Sequence, residues 1–167
     1  TVDRRIDVNV NFTGATPVST SPGETRAELS FDITNDSNAV VDLDLDAILT
    51  AGTAANIDNI EIYLDADEDG TLSAAEIAAG PITFLDSVAA DDGTNTDTVS
   101  VVVVADIDLA VANLDTFDIV LVADAHEVGG SGTLGAEITA TAGANTAGVD
   151  TVLADGTNSS EEVANDG

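Results

Sequence analysis

The sequence predicts an all-β fold, a two-sheet sandwich of about nine short strands, and three observations predict it. Apolar and polar residues alternate at period two along most of the chain, the pattern of strands with one buried face. Clusters of Gly, Pro, Asn, Asp and Ser punctuate these runs at the spacing of a sandwich. The hydrophobic residues, 44% of the chain, are gathered in β-branched runs, which favours ordered structure over the disorder that so high a charge otherwise implies.

Taken in order, Ile6, Val8, Val10 and Phe12 alternate with Asp and Asn. After the turn Ser21-Pro22-Gly23, a second strand is read from Ala27, Leu29, Phe31 and Ile33, closed by Asn35-Asp36-Ser37-Asn38. Val41, Leu43 and Leu45 alternate with Asp42, Asp44 and Asp46, and Ile60, Ile62 and Leu64 with Glu61 and Tyr63. Ser73 to Ala79 is Ala-rich and halts at Gly80-Pro81, which predicts a short helix. Ile82 to Val88 is a weaker strand. Beyond Asp91-Asp92-Gly93, Thr98 to Ala105 contains Val101 to Val104 unbroken, and Phe117 to Ala123 is nearly all apolar, so both read as more buried strands. Ile107 to Asn113 reads as another helical turn or two. Leu134 to Ala142 and Val149 to Leu153 complete the strands after the Gly129-Gly130-Ser131-Gly132 turn. Asp155-Gly156 leads into a polar tail, 157–167. No linker divides the chain, so 1–167 is read as one domain.

Three Arg and no Lys face 32 Asp and Glu, for a net charge of −29. Phosphate recognition depends on clustered Lys and Arg, so nucleic acid and anionic membranes are not expected partners, whereas cations are. No apolar run reaches the length of a membrane span, so no membrane insertion is expected. The absence of Met predicts that an N-terminal segment has been removed or that the chain was cut from something longer. The lack of signal-like sequence at its start fits a mature secreted protein. With no Cys there is no disulfide framework, and a metal is the natural alternative fastening for a secreted fold. The same Lys-free composition also suits a saline environment, in which the carboxylates are simply a solvated surface.

One stretch carries metal chemistry. Asp65-Ala-Asp-Glu-Asp-Gly-Thr-Leu-Ser-Ala-Ala-Glu76 fits the twelve-position calcium loop of EF-hand type throughout. Asp65, Asp67 and Asp69 stand at positions one, three and five, where side-chain oxygens point at one ion. Gly70 permits the sharp turn, Thr71 offers its carbonyl, Ser73 acts directly or through water, and Glu76 closes the site with both oxygens. Leu72 is apolar and suited to pack beneath the loop. The bland alternative is an acidic surface turn. Magnesium suits the set less well, since it prefers fewer protein ligands and stricter octahedral geometry. The loop follows a strand, its exiting helix is short, and no second loop pairs with it. A structural clip is therefore expected, not a sensor.

Other constellations are weaker. Asp42, Asp44 and Asp46 lie on alternate strand positions about 6.7 Å apart, too far in line to share an ion easily, so a solvated strand face is expected. Asp91, Asp92, Asn95 and Asp97 converge on a site or merely form Asx turns. His126 lies near Asp124 and Ser131 in sequence, but no nucleophile elbow accompanies them, and no enzyme is expected. Asn11, Asn35 and Asn158 each begin an Asn-X-Ser/Thr triplet, a glycosylation pattern that chance alone also supplies in a chain rich in these residues. Arg4 and Arg5, two of the three basic residues, precede the first alternation. Residues 1–12 form either an ordinary first strand or a donor strand that pairs with a neighbouring subunit's sheet edge, its Arg pair against that neighbour's acidic surface. Head-to-tail contacts of that kind build a homopolymer.

Three stretches resemble a known family. Leu29-Ser-Phe-Asp-Ile-Thr-Asn-Asp-Ser-Asn38 is similar to the strand and Asn-rich turn of Ig-like repeats in large bacterial surface proteins, and Ile60 to Glu76 to the strand and calcium loop such repeats often carry. Val101 to Ile107 with Asp115 to Ala123 looks like their later strand pair. The resemblance spans roughly residues 25–125. It implies an Ig-like sandwich of structural role, extracellular or at the cell surface, and brings no catalytic residues. The expected function is a secreted, calcium-stabilised structural subunit of an extracellular assembly, a filament built by strand donation or edge pairing. The alternative is an adhesion or carbohydrate-binding module excised from a larger surface protein. One Tyr and no Trp supply a sugar-stacking platform poorly.

Overall fold

A computed structural model of the chain describes residues 2–93, 97–112, 115–142, 146, 148 and 150–154. The alternating runs form β1 (Arg4–Ile6), β2 (Val8–Phe12), β3 (Ala27–Asn35), β4 (Val41–Ala51), β5 (Ile57–Leu64), β6 (Phe84–Val88), β7 (Thr98–Ile107), β8 (Asp118–His126) and β9 (Thr151–Leu153). Among the described residues, helix α1 (Ala74–Ala79) and a 3-10 turn at Ala54–Asn56 accompany them. Strand makes up 45% and helix 7%, so the fold is all-β as the periodicity predicts.

Backbone hydrogen bonding arranges the strands in a four-stranded sheet, β2-β3-β7-β5, a three-stranded sheet, β6-β4-β8, and a parallel pair, β1-β9. Both larger sheets are antiparallel. They turn their apolar faces to one another. Val8, Phe31, Ile33, Ile62, Val101 and Val103 meet Val41, Leu43, Leu85, Val88, Leu121 and Ala123 in one buried cluster, the filling of a sandwich-like core.

The unbroken valine run has a two-sided cause. Val101 and Val103 face that core, while Val102 and Val104 point out of the opposite face and are nevertheless buried, packed with Tyr63 and the partly buried Leu72. The segment 65–73 thus lays an apolar residue on the outer surface of β7. Leu72 packs beneath the loop as the sequence predicts.

The structure departs from the sequence reading in several places. The first alternation breaks at Asp7 into two strands that join different partners, β9 and β3. Ile107 ends β7, and Asp108 to Ala112 is not helical. The Asp108 carboxylate accepts the Ala110 N–H at 2.6 Å, a local bond that competes with the helix. Leu134 to Ala142 forms no strand, only a bridge from Glu137 to His126. There Gly135 approaches the chain too closely for a regular ladder. A Cβ on it would lie 1.6 Å from the Glu127 carbonyl oxygen. Asn95, Asn113, Val149, Asn158 and the tail 157–167 lie outside the described residues. Among the described residues no helix is long and apolar enough to cross a membrane.

Candidate metal centre

The loop begins where β5 delivers Asp65, whose N–H donates to the Ser100 carbonyl of β7 at 3.0 Å. The chain then turns back through two left-handed residues, Glu68 (φ 56°) and Gly70 (φ 78°). Gly70 at position six meets that demand at no steric cost, which is why the pattern requires it. The loop exits into α1 through a capping box: Ser73 Oγ accepts the Glu76 N–H at 3.3 Å, and Glu76 Oε2 accepts the Ser73 N–H at 2.8 Å. Gly80 (φ 90°) closes the helix, its N–H donating to the carbonyls of Glu76 and Ile77.

These contacts draw together the first, third and last of the predicted ligands. Asp65, Asp67 and Glu76 each present a carboxylate oxygen, and the three oxygens lie within 4.8 Å of one another. Asp65 and Glu76 are buried and Asp67 is exposed, so the cluster is a mouth open on one side. Asp65 accepts the N–H groups of Asp69 at 3.3 Å and Gly70 at 2.9 Å. The second Glu76 oxygen, Oε1, accepts the Ala66 N–H at 2.7 Å. The two buried carboxylates are thereby fixed in orientation by backbone donors. Asp69 at position five lies outside the triad, and its carboxylate accepts both the N–H and the hydroxyl of Thr71. Ser73 spends its hydroxyl on the helix cap.

Electrostatics separates the members. Hydrogen bonds from Ser73 and Ala66 hold the Glu76 carboxyl below its ordinary value, keeping it ionised. Asp67 is held above its ordinary value, by loss of water in the crowded loop and then by the charges of Asp69, Glu76 and Asp65. A cation among these oxygens removes that repulsion. The donor set is hard oxygen throughout, the chemistry of calcium or magnesium and not of a soft metal. Beside the loop, Thr13, Ser30, Asp32, Asp65, Glu68, Asp69 and Ser100 line a polar cavity of about 430 Å³.

The other candidates resolve differently. Asp42 is wholly buried, not part of a solvated face. Its carboxylate accepts the N–H groups of Ser87 at 2.8 Å, Gly129 at 2.8 Å and Gly135 at 3.2 Å. Asp44 is half-buried and Asp46 exposed. Asp91 accepts the Gly93 N–H at 2.8 Å, an Asx turn. His126 Nδ1 lies 2.9 Å from the Gly135 carbonyl oxygen, which makes it the protonated ring nitrogen. The Asn35 side chain is fully buried and donates to the carbonyls of Ala39, Val88 and Ala89, so it is no glycan acceptor in the folded chain. Arg4 pairs with Glu127 at 2.6 Å and Arg5 with Asp7, all within the one chain.

Fold and site together define an acidic all-β protein with a carboxylate cluster able to hold a metal ion. No family model, curated protein or solved structure compared with the chain matches it.

Proposed function

We propose that the chain is a secreted, calcium-stabilised structural subunit of an extracellular assembly, an Ig-like sandwich whose residues 65–76 hold one calcium ion in the manner of an EF-hand loop. The observation that carries this reading is the convergence of Asp65, Asp67 and Glu76 at the end of a sandwich strand. Asp69, Thr71 and Ser73 complete the ligand set when an ion draws the loop in, the Ser73 contribution passing through water while its hydroxyl caps α1. The ion then fastens β5 to α1 and seats Leu72 on Tyr63, Val102 and Val104. That placement supports a role in architecture, and the reading assigns the chain no catalysis.

Assembly into a filament is the finer part of the proposal. Residues 4–12 pair with β9 and β3 of their own chain. Donation would place the same alternating segment in a neighbour, carrying Arg4 and Arg5 to an acidic surface. Electron microscopy of native material with and without a chelator tests it. Calcium-dependent filaments support the reading, and calcium-indifferent monomers overturn it. Filaments unchanged by deleting residues 1–12 would remove the donation step.

A second reading, an adhesion or binding module, has one observation in its favour. An apolar groove of about 430 Å³ opens between β3 and β8, with Phe12, Leu29, Phe31, Ile107, Phe117 and Ile119 among its walls.

A further inference from the structure

Among the described residues, two buried side-chain oxygens have no hydrogen-bond partner, Asp7 Oδ1 and Asn9 Oδ1. They belong to neighbours on one face of the N-terminal segment. Ile6 and Val8 are wholly buried in the core, so strand alternation sends Asp7 and Asn9 out on the opposite side. The turn 36–38 roofs that side. The Asp7 N–H donates to Ser37 Oγ at 2.8 Å, and that hydroxyl donates to the Asp7 carbonyl at 3.1 Å. The Asn9 amide donates to the Asp36 carboxylate. Arg5 holds Oδ2, the other Asp7 oxygen, and reaches the Asp36 carbonyl at 3.0 Å. Asp7 is 2% exposed, so bulk water does not serve its free oxygen.

We propose that Asp7, Asn9 and Asp36 form a second cation site, which takes a hard divalent ion through Asp7 Oδ1, Asn9 Oδ1 and the Asp36 carboxylate. Both orphan atoms are pure acceptors, and an aspartate oxygen, an amide oxygen and a second carboxylate are donors that calcium and magnesium take. Charge points the same way. Two carboxylates face one guanidinium here, in a chain of net charge −29, so the group retains negative charge that a bridging water leaves uncompensated. The site joins the N-terminal segment to the β3–β4 turn and is independent of the 65–76 loop. Occupied, it holds residues 4–12 in their own chain and opposes their release to a neighbour.

The test is calorimetric titration of the chelator-treated full chain with calcium, and separately with magnesium, for wild type, Asp65→Asn, Asp7→Asn and Asn9→Ala. The expected result is that Asp65→Asn still binds one ion, while Asp7→Asn and Asn9→Ala each lose one ion relative to wild type. Loss of all binding in Asp65→Asn overturns the proposal, as does wild-type stoichiometry in Asn9→Ala. If Asp7→Asn fails to fold, Asn9→Ala decides, because it leaves the Arg5–Asp7 pair intact. If the 65–76 loop binds nothing, Asp65→Asn matches wild type while Asn9→Ala still loses its ion, so the two readings fail separately. A bridging water in place of an ion appears as absence of binding in Asp65→Asn, which also overturns the proposal.

Discussion

Single carboxylates in this chain have opposite fates, set by which backbone N–H groups reach them. Glu76 is held ionised by the helix it caps, whereas Asp67 is crowded by three like charges. Asp65→Asn removes a ligand without changing shape, so it should abolish the share of calcium stabilisation that the 65–76 loop contributes. At a hundred times the dissociation constant, calcium in the loop stabilises wild type by about 2.7 kcal/mol. In a domain of this size that raises Tm by about 5–10 °C, and a thermal scan of the variant should lack that contribution. Asp106 supplies a pH signature remote from the metal loop. Its carboxyl is held below the ordinary value by the Asn59 amide, the Arg26 N–H and the Arg26 charge. A depressed carboxylate stabilises the fold above its unfolded pKa of about 3.9, and that contribution is lost as pH falls through this value toward the lower folded one. Urea midpoints measured between pH 6 and 3 should therefore fall less steeply in Asp106→Asn than in wild type.

The element scale is dominated by two segments that close over the sheets. One is the loop 65–73 with α1, which caps the outer face of β7. Leu72 is only partly buried, so Leu72→Ala should cost about 1–2 kcal/mol, below the range for a fully buried leucine, and weaken calcium binding through the same loop. The other is the segment after β8, folded around the Asp42 carboxylate. It works only with glycine at two positions. A Cβ on Gly129 would sit 1.9 Å from the Thr133 carbonyl oxygen, as severe an approach as that at Gly135. Asp42→Ala leaves three part-buried N–H groups without their acceptor and should destabilise the protein by about 2 kcal/mol in denaturant melts. Gly135→Ala should be similarly damaging, about 2 kcal/mol or more, by forcing the same segment apart.

At the scale of the whole molecule, charge is the governing quantity. With 32 acidic residues against three basic ones, the folded state repels itself at low ionic strength. Sodium chloride should raise Tm progressively as the Debye length contracts from about 30 Å at 0.01 M to about 3 Å at 1 M. This rise should persist in Asp65→Asn, which separates general screening from the specific ion. Loss of the salt response in that variant would show instead that the loop carries the whole effect.

Much of this architecture is legible from local pattern. Strand alternation depends only on the period-two geometry of a pleated chain, and β3, β4 and β5 lie where the alternation predicts them, β7 and β8 where the continuous apolar runs do. The convergence of Asp65, Asp67 and Glu76 was legible too, because ligand spacing and Gly70 are local constraints that a short segment satisfies alone. The outcomes that escaped local reading depend on partners far away in sequence. Asp42 sits in a run indistinguishable from Asp44 and Asp46, yet it alone meets three N–H groups, from residues 87, 129 and 135. Asp7 breaks a clean alternation because the strands on either side join different sheets. Val102 and Val104 are buried on the face where Leu72 of the folded-back loop packs. By itself the sequence determined most of the strands, the converging carboxylates and the charge. Which aspartates are buried, and which partners take the N-terminal strands, was decided by tertiary structure, because burial and hydrogen-bond satisfaction belong to surroundings that no single segment contains.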